Sequence, residues 1–273
     1  IDLGEVDPRR FGPYANKVYT GRKNKEAFGH NFGIHYPGYE WPEARPAKTM
    51  PCYDRLNAAG AVWGAVYGWE IPLWFAPKDA EPKDIWSYRT FNSMPHIGAE
   101  CRAVRETAGL FEMTPMAKFE VSGPGAEVWL NRILANRMPR KIGGIVLAHL
   151  LTHKGTIRCE FTVTRLGETS FYLVGTPRGE RHDFDVLQKT LPADGTVTLI
   201  NVTAERGGLT LVGPKARDIL QDLVDGDLGN DAFPWMSAQA LTVGLASDVR
   251  MMRINYEGEL GGELYHPIAY NLH

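Results

Sequence analysis

Hydrophobic and polar residues alternate most clearly between Lys154 and Gly167. Ile157, Cys159, Phe161 and Val163 fall on one side of an extended backbone, and Arg158, Glu160, Thr162 and Thr164 on the other. A Lys-Gly pair opens the stretch and Leu-Gly closes it, so residues 156–166 read as a half-buried strand. Similar runs predict strands over 145–152, 170–174, 196–202 and 209–212, and a long strand over 246–256. Helical spacing and end signals predict helices over 15–28, 53–59, 99–107, 125–135, 180–190 and 215–223, with another near 236–241. Spaced glycines and aromatics make 60–70 an extended segment with close backbone approaches.

One unit occurs twice. Lys118-Phe119-Glu120-Val121-Ser122-Gly123-Pro124 runs into the first of two matching helices, and Gly208-Leu209-Thr210-Leu211-Val212-Gly213-Pro214 into the second. Proline suits the first helical turn, where its missing N–H would be unpaired in any case. Two such copies predict an α+β fold of pseudo-symmetric strand–Gly-Pro–helix plaits. Gly123-x-Gly125 is not a dinucleotide loop, because the third glycine is missing and Pro124 removes a phosphate-facing amide. Residues 1–49 are rich in Pro, Gly, Tyr and His, and are expected to clamp onto a neighbouring surface rather than fold alone. The main domain is therefore expected to occupy residues 50–273.

Composition narrows the function classes. A net charge of −2 argues against a nucleic-acid partner, which would need a surplus of Lys and Arg to neutralise phosphates. The longest apolar runs are too short to cross a bilayer, and no basic-then-apolar signal segment opens the chain. Starting at Ile1, the chain is expected to be a piece of something longer. Cys52, Cys101 and Cys159 form neither a disulfide framework nor a C-x-x-C pair, which fits reduced thiols and a cytoplasmic setting (the mitochondrial matrix in a eukaryote). His30 and His35 have no Cys or carboxylate set beside them at ligand spacing, so no metal is expected.

The Glu160 strand and three further motifs carry a family resemblance. Glu160 stands where the strand of the glycine cleavage T-protein, roughly Gly-Gly-Ile-x-x-Asp-x-x-Val, has its catalytic Asp. Ala108-Gly109-Leu110-Phe111-Glu112-Met113-Thr114 resembles the family's Gly-Leu-Phe-Asp-x-Ser segment, and Arg253-Ile254-Asn255-Tyr256-Glu257-Gly258-Glu259-Leu260-Gly261 its Tyr-x-Gly-Glu-x-Gly signature. Asp7-Pro8-Arg9-Arg10-Phe11 and Gly68-Trp69-Glu70-Ile71-Pro72-Leu73-Trp74-Phe75-Ala76 resemble the join between the flavin and folate halves of dimethylglycine and sarcosine dehydrogenases.

The resemblance implies a tetrahydrofolate site. In it Glu160 is the catalytic carboxylate, Glu259 accepts hydrogen bonds from the pterin, Tyr256 lines the reaction centre and Asn136 lies near the folate. An ionised carboxylate is an acceptor-only partner for the fan of N–H donors on a pterin, and glycines at 258 and 261 let backbone approach a flat ligand. The implied activity is one-carbon acceptance: an iminium made from an N-methyl amine by an upstream flavin domain is passed to tetrahydrofolate as 5,10-methylene-tetrahydrofolate. FAD would belong to that upstream domain alone. A folate-dependent demethylase and a catalytically silent interaction module are the alternatives. Departures from the family are Glu for Asp at 160, Leu147 for a Tyr, Gly262 for an aromatic, and an end at His273 ahead of the family's downstream arginine and closing β-barrel. A pairing of Arg158 with Glu160 would make the latter structural.

Overall fold

The computed structural model describes Pro8 and residues 11–273; Asp7, Arg9 and Arg10 of the N-terminal motif lie outside them. Helix α1 (Lys17–His30) is followed by a short α2 (Tyr53–Ala58), the hairpin β1 (Ala61–Val66) and β2 (Trp69–Phe75), helix α3 (Met94–Glu106) and strand β3 (Gly109–Glu112). The first plait comprises β4 (Ala117–Ser122), α4 (Ala126–Ile133), β5 (Ile145–Leu151), β6 (Ile157–Gly167), β7 (Ser170–Gly175), α5 (Glu180–Lys189) and β8 (Thr198–Asn201). The second comprises β9 (Arg206–Val212), α6 (Ala216–Gln221), β10 (Ala238–Val243), β11 (Ala246–Met252) and β12 (Gly261–Pro267). Their strands form two antiparallel sheets, β5-β6-β7-β4-β8 and β10-β11-β12-β9-β3.

Each sheet covers one face with its own helices. Phe119, Val121, Phe161, Val163, Phe171 and Leu173 point away from the other sheet and pack with Trp129, Leu130 and Leu187 of α4 and α5. Leu211, Val249, Met251 and Leu264 pack in the same way on Ala216 and Leu220 of α6. Full burial of one such side chain stabilises by about 1.5–3 kcal/mol. The remaining faces meet in a central seam around Ile145, Tyr172, Val174, Met252 and Tyr265. Backbone bonds close one side of the seam: Ile145 N donates to Met236 O at 3.0 Å, and Ala238 N to Gly143 O at 2.6 Å.

The two Gly-Pro corners are built alike. Gly123 has φ +117° and Gly213 φ +121°, a region closed to other residues. A Cβ on Gly213 would lie 2.6 Å from the carbonyl oxygens of Thr107 and Val104, and one on Gly123 2.3 Å from that of Thr196. The corners thus fix how each strand feeds its helix.

Three expectations are corrected. Residues 236–241 form no helix: Met236 and Ser237 bond to the start of β5 and the end of β11, and β10 begins at Ala238, because pairing with β11 outweighs the local helical pattern. The strand expected over 246–256 ends at Met252; Asn255 accepts from Gly258 N and donates to Glu259 O, which curls the next residues into a loop. Residues 60–70 are not one extended run, for Tyr67 and Gly68 take positive φ (47° and 87°) and turn the chain into the β1–β2 hairpin.

That hairpin receives the N-terminal segment. Arg45 forks onto Glu70, Nε to Oε1 at 2.9 Å and Nη2 to Oε2 at 2.6 Å. Lys48 exchanges backbone bonds with Gly68 and Glu70, and its ammonium sits 4.7 Å from the centre of the Trp69 ring. Bidentate pairs of this kind are the strong ones, and here both partners are largely buried.

Between the sheets runs the crossover from β3 to β4, held by Lys118. Its fully buried ammonium donates to the carbonyls of Thr114 (2.6 Å) and Met116 (2.8 Å). Burial pulls its pKa down to about 7, against the opposing pull of Glu112 and Glu180. Between about 7 and the ordinary 10.5 the unfolded chain binds a proton that the folded chain does not, so stability rises with pH across that window. Urea unfolding is expected to show wild type gaining on Lys118→Met by about 1 kcal/mol per pH unit from 7.5 to 9.5; parallel curves would contradict this. Gly213→Ala is expected to lose roughly 3 kcal/mol or more in the same assay, and a loss below 1 kcal/mol would contradict the corner's role.

Candidate functional site: the seam between the sheets

Strand alternation decides which side chains line the seam. On β5, Ala148 and Leu150 are buried under the helices, so Ile145, Leu147 and His149 face the other way. Glu160, Thr162 and Thr164 of β6, Tyr172 and Val174 of β7, and Glu120 of β4 share that face by register. Across the seam stand Arg250 and Met252 of β11, Glu263 and Tyr265 of β12, and Thr210 of β9, which is directly opposite Glu263.

The middle of the seam is closed by contacts from wall to wall. Tyr172 and Tyr265 meet edge to face at 5.6 Å, the Arg250 guanidinium lies 4.7 Å over the Tyr172 ring, and Thr164 Oγ1 donates to Met252 Sδ at 3.5 Å. Arg250 Nη1 is 2.7 Å from Glu120 Oε1, yet buried and off the hydrogen-bond direction, so the attraction there is mainly electrostatic. Toward the far ends of β5 and β6 the seam opens, and Glu160 is half exposed.

Glu160 does not pair with Arg158. Its Oε2 lies 2.5 Å from Nε2 of His149, its register partner on β5. Asn136 is close to this pair through backbone: its Nδ2 donates to Leu147 O at 2.7 Å, and the neighbouring Ala135 N donates to His149 O at 2.7 Å. Asn136 and Glu160 are thus brought to one edge of the first sheet.

Glu259 and Tyr256 lie on the loop between β11 and β12. Glu259 Oε1 is held 3.1 Å from Arg105 of α3, and it shares no hydrogen bond or ion pair with Glu160. Tyr256 stands 98% exposed on the loop between β11 and β12. The acid that faces the seam from the second wall is Glu263, four residues beyond Glu259. Tyr265 Oη donates to Glu263 Oε2 at 2.8 Å. Burial raises the Glu263 carboxyl to about 7, nearby Glu257 adds to the rise, and the Tyr265 hydrogen bond opposes it. Two more polar atoms in the seam, Tyr172 Oη and Thr210 Oγ1, are buried without a partner, an arrangement that natural cores rarely leave.

Sequence reasoning missed Glu263 and His149. The signal for Glu263 was the alternation Gly261, Glu263, Tyr265, which puts it on one face with a large aromatic. His149 alternates with Ala148 and Leu150 in the same way, but only the β5–β6 register sets it opposite Glu160. Among the described residues no cluster of three or more His, Cys, Asp or Glu is arranged to hold a metal, and no helix is long and apolar enough to cross a membrane.

The family model described as GCVT N-terminal domain matches residues 52–273, and that described as FAD dependent oxidoreductase central domain matches residues 1–49. Mitochondrial dimethylglycine dehydrogenase of Rattus norvegicus is 32% identical over 269 residues, which is 97% of this chain and 31% of the relative. The mitochondrial pyruvate dehydrogenase phosphatase regulatory subunit of Mus musculus is 29% identical over 278 residues, covering all of this chain and 32% of the relative. The chain therefore spans about a third of the length of these relatives. Among solved structures, the glycine cleavage system aminomethyltransferase T from Bartonella henselae is 30% identical with a TM-score of 0.67, over 82% of this chain and 55% of that one. The expected plait architecture is that of this neighbour, and the chain belongs to the GCVT aminomethyltransferase family, homologous to the dimethylglycine and sarcosine dehydrogenases.

Proposed function

We propose that the seam binds tetrahydrofolate and that this chain accepts a one-carbon unit, as an iminium, to form 5,10-methylene-tetrahydrofolate. The observation that carries the reading is that Glu160 and Glu263 stand on the two walls of one seam. Thr164, which touches the Glu263 wall, stands four positions along β6 from Glu160, a span of about 13 Å along a strand. That length suits a flat bicyclic ring joined to an aromatic amine.

The residues present fit such a ligand. Glu263 and the orphaned Thr210 hydroxyl lie side by side as a surface for the N–H edge of a pterin. The buried Tyr172 hydroxyl offers a further partner. Glu160 at the open end is the carboxylate for the reacting nitrogens, where an anion favours a cationic electrophile. Asn136 borders that end, and Tyr256 on its exposed loop can fold over the ligand. Glu263 replaces Glu259 as the proposed pterin acceptor, since Glu259 is engaged with Arg105.

The source of the iminium belongs to flavin chemistry upstream. Support comes from the match of residues 1–49 to a segment of FAD-dependent oxidoreductases and from the relation to dimethylglycine and sarcosine dehydrogenases. A second reading, a silent interaction module, is favoured by one observation: a relative along the entire chain is named a regulatory subunit.

Calorimetry with tetrahydrofolate separates the two. Wild type is expected to bind and Glu263→Ala to bind roughly 10- to 100-fold more weakly, as for loss of a hydrogen bond to a charged acceptor. Glu160→Gln is expected to bind normally but to transfer slowly. Undetectable binding by wild type would sink the folate reading and leave the interaction module. The ionised Glu263 is the acceptor and its carboxyl titrates near 7, so affinity is expected to fall as pH drops below about 7, approaching tenfold per unit. Glu263→Gln should show no such slope between pH 5.5 and 8; a slope equal to that of wild type would show that another group is responsible.

A further inference from the structure

The pairing of Glu160 with an imidazole is not accounted for by a carboxylate acting alone. His149 is held on three sides. Its backbone is paired across to Glu160 by the β5–β6 register, its carbonyl accepts from Ala135 N at 2.7 Å, and its neighbours Ala148 and Leu150 are locked in the core. The ring is therefore fixed on the seam face, with Nε2 2.5 Å from Glu160 Oε2. Glu160 keeps half its side chain exposed and His149 about a third, so the pair is reachable from the open end of the seam. A carboxylate that touches the reacting nitrogen and an imidazole behind it form a route by which a proton can leave that nitrogen and come back.

We propose that His149 is the second proton station of this site and the positioning residue for Glu160. The inference rests on the folate reading above. In the transfer, a folate N–H nitrogen adds to the iminium carbon and one C–N bond forms. The proton released by that nitrogen passes to a Glu160 carboxylate oxygen and on to His149 Nε2, which is free to accept it because the neutral imidazole carries its own proton on Nδ1; an imidazolium facing a carboxylate results. The proton returns by the same route to the nitrogen of the departing amine, whose C–N bond then breaks. The second folate nitrogen closes the methylene bridge, and its proton leaves with the amine as an ammonium ion. Two N–H protons leave the folate and two arrive on the amine, with no oxidant or reductant needed.

The chemistry explains why a glutamate is tolerated where the family strand carries an aspartate. The longer side chain reaches across to the β5 imidazole, and the close contact with His149 restores the fixed geometry that an extra rotatable bond would lose.

The test uses the intact protein, including whatever precedes Ile1, and measures tetrahydrofolate affinity by calorimetry beside single-turnover transfer from an iminium made on the enzyme from an N-methyl amine. His149→Gln keeps a polar side chain that can reach Glu160 but cannot take up a proton. It is expected to bind within about twofold of wild type while transfer slows on the order of 100-fold. His149→Gly is expected to be equally slow and to recover at least tenfold with added imidazole but not with non-basic pyrazole. Transfer by His149→Gln at the wild-type rate, or slowing matched by an equal loss of affinity, would overturn the proton role and leave the folate site standing. Wild type that binds no tetrahydrofolate would overturn the folate reading, and this inference with it.

Discussion

A charged bridge across the centre of the molecule sets the spacing of everything around it. Arg250 of the second sheet lies over the Tyr172 ring of the first and reaches Glu120 on the neighbouring strand. Each sheet has spent one face on its own helices, so the other two faces must cover each other. They do so with a mixture of aromatic rings, a guanidinium and carboxylates rather than aliphatic packing alone. Removing one partner of such a bridge leaves a largely buried charge unmatched, which typically costs about 3–5 kcal/mol. The bridge is therefore better viewed as fixing the register of two sheets than as net stabilisation.

Polar groups that stability alone does not call for concentrate along the same seam. Glu263 is held near a pKa of 7 by burial, Lys118 is drawn down to about 7 by the same cause, and Tyr172 and Thr210 keep unpartnered hydroxyl oxygens. Lys118 has a structural task, tying down the carbonyls of the crossover between the sheets. Glu263 has no such task beyond one bond from Tyr265. Buried titratable groups of this sort mark sites more often than scaffolds.

The sequence made much of the architecture legible because strand and helix patterns were locally consistent. The alternation over residues 156–166 matched β6 nearly to its ends, and the repeated Gly-Pro corners marked both plaits, since only glycine accepts φ near +120° there. What local patterns could not supply was register and partner. The helix expected at 236–241 failed because its residues complete an edge strand, and strand pairing is a non-local decision. The same limit governed the site. Glu160 and Asn136 could be placed from motif and strand face, and the structure sets them at one sheet edge. Glu259 satisfied the motif and the glycine argument, but its side chain was free to turn toward Arg105. Glu263 and His149 depended on which strand lies opposite which.

One seam, walled by β6 and β12, is the proposed ligand site. Amide hydrogen exchange with and without a stable tetrahydrofolate such as the 5-formyl derivative tests it most directly. Slowed exchange is predicted at residues 160–164 and 261–266 together, one stretch from each wall. Protection confined to one wall, or lying only at the helix α4 surface or the N-terminal segment, would contradict the account.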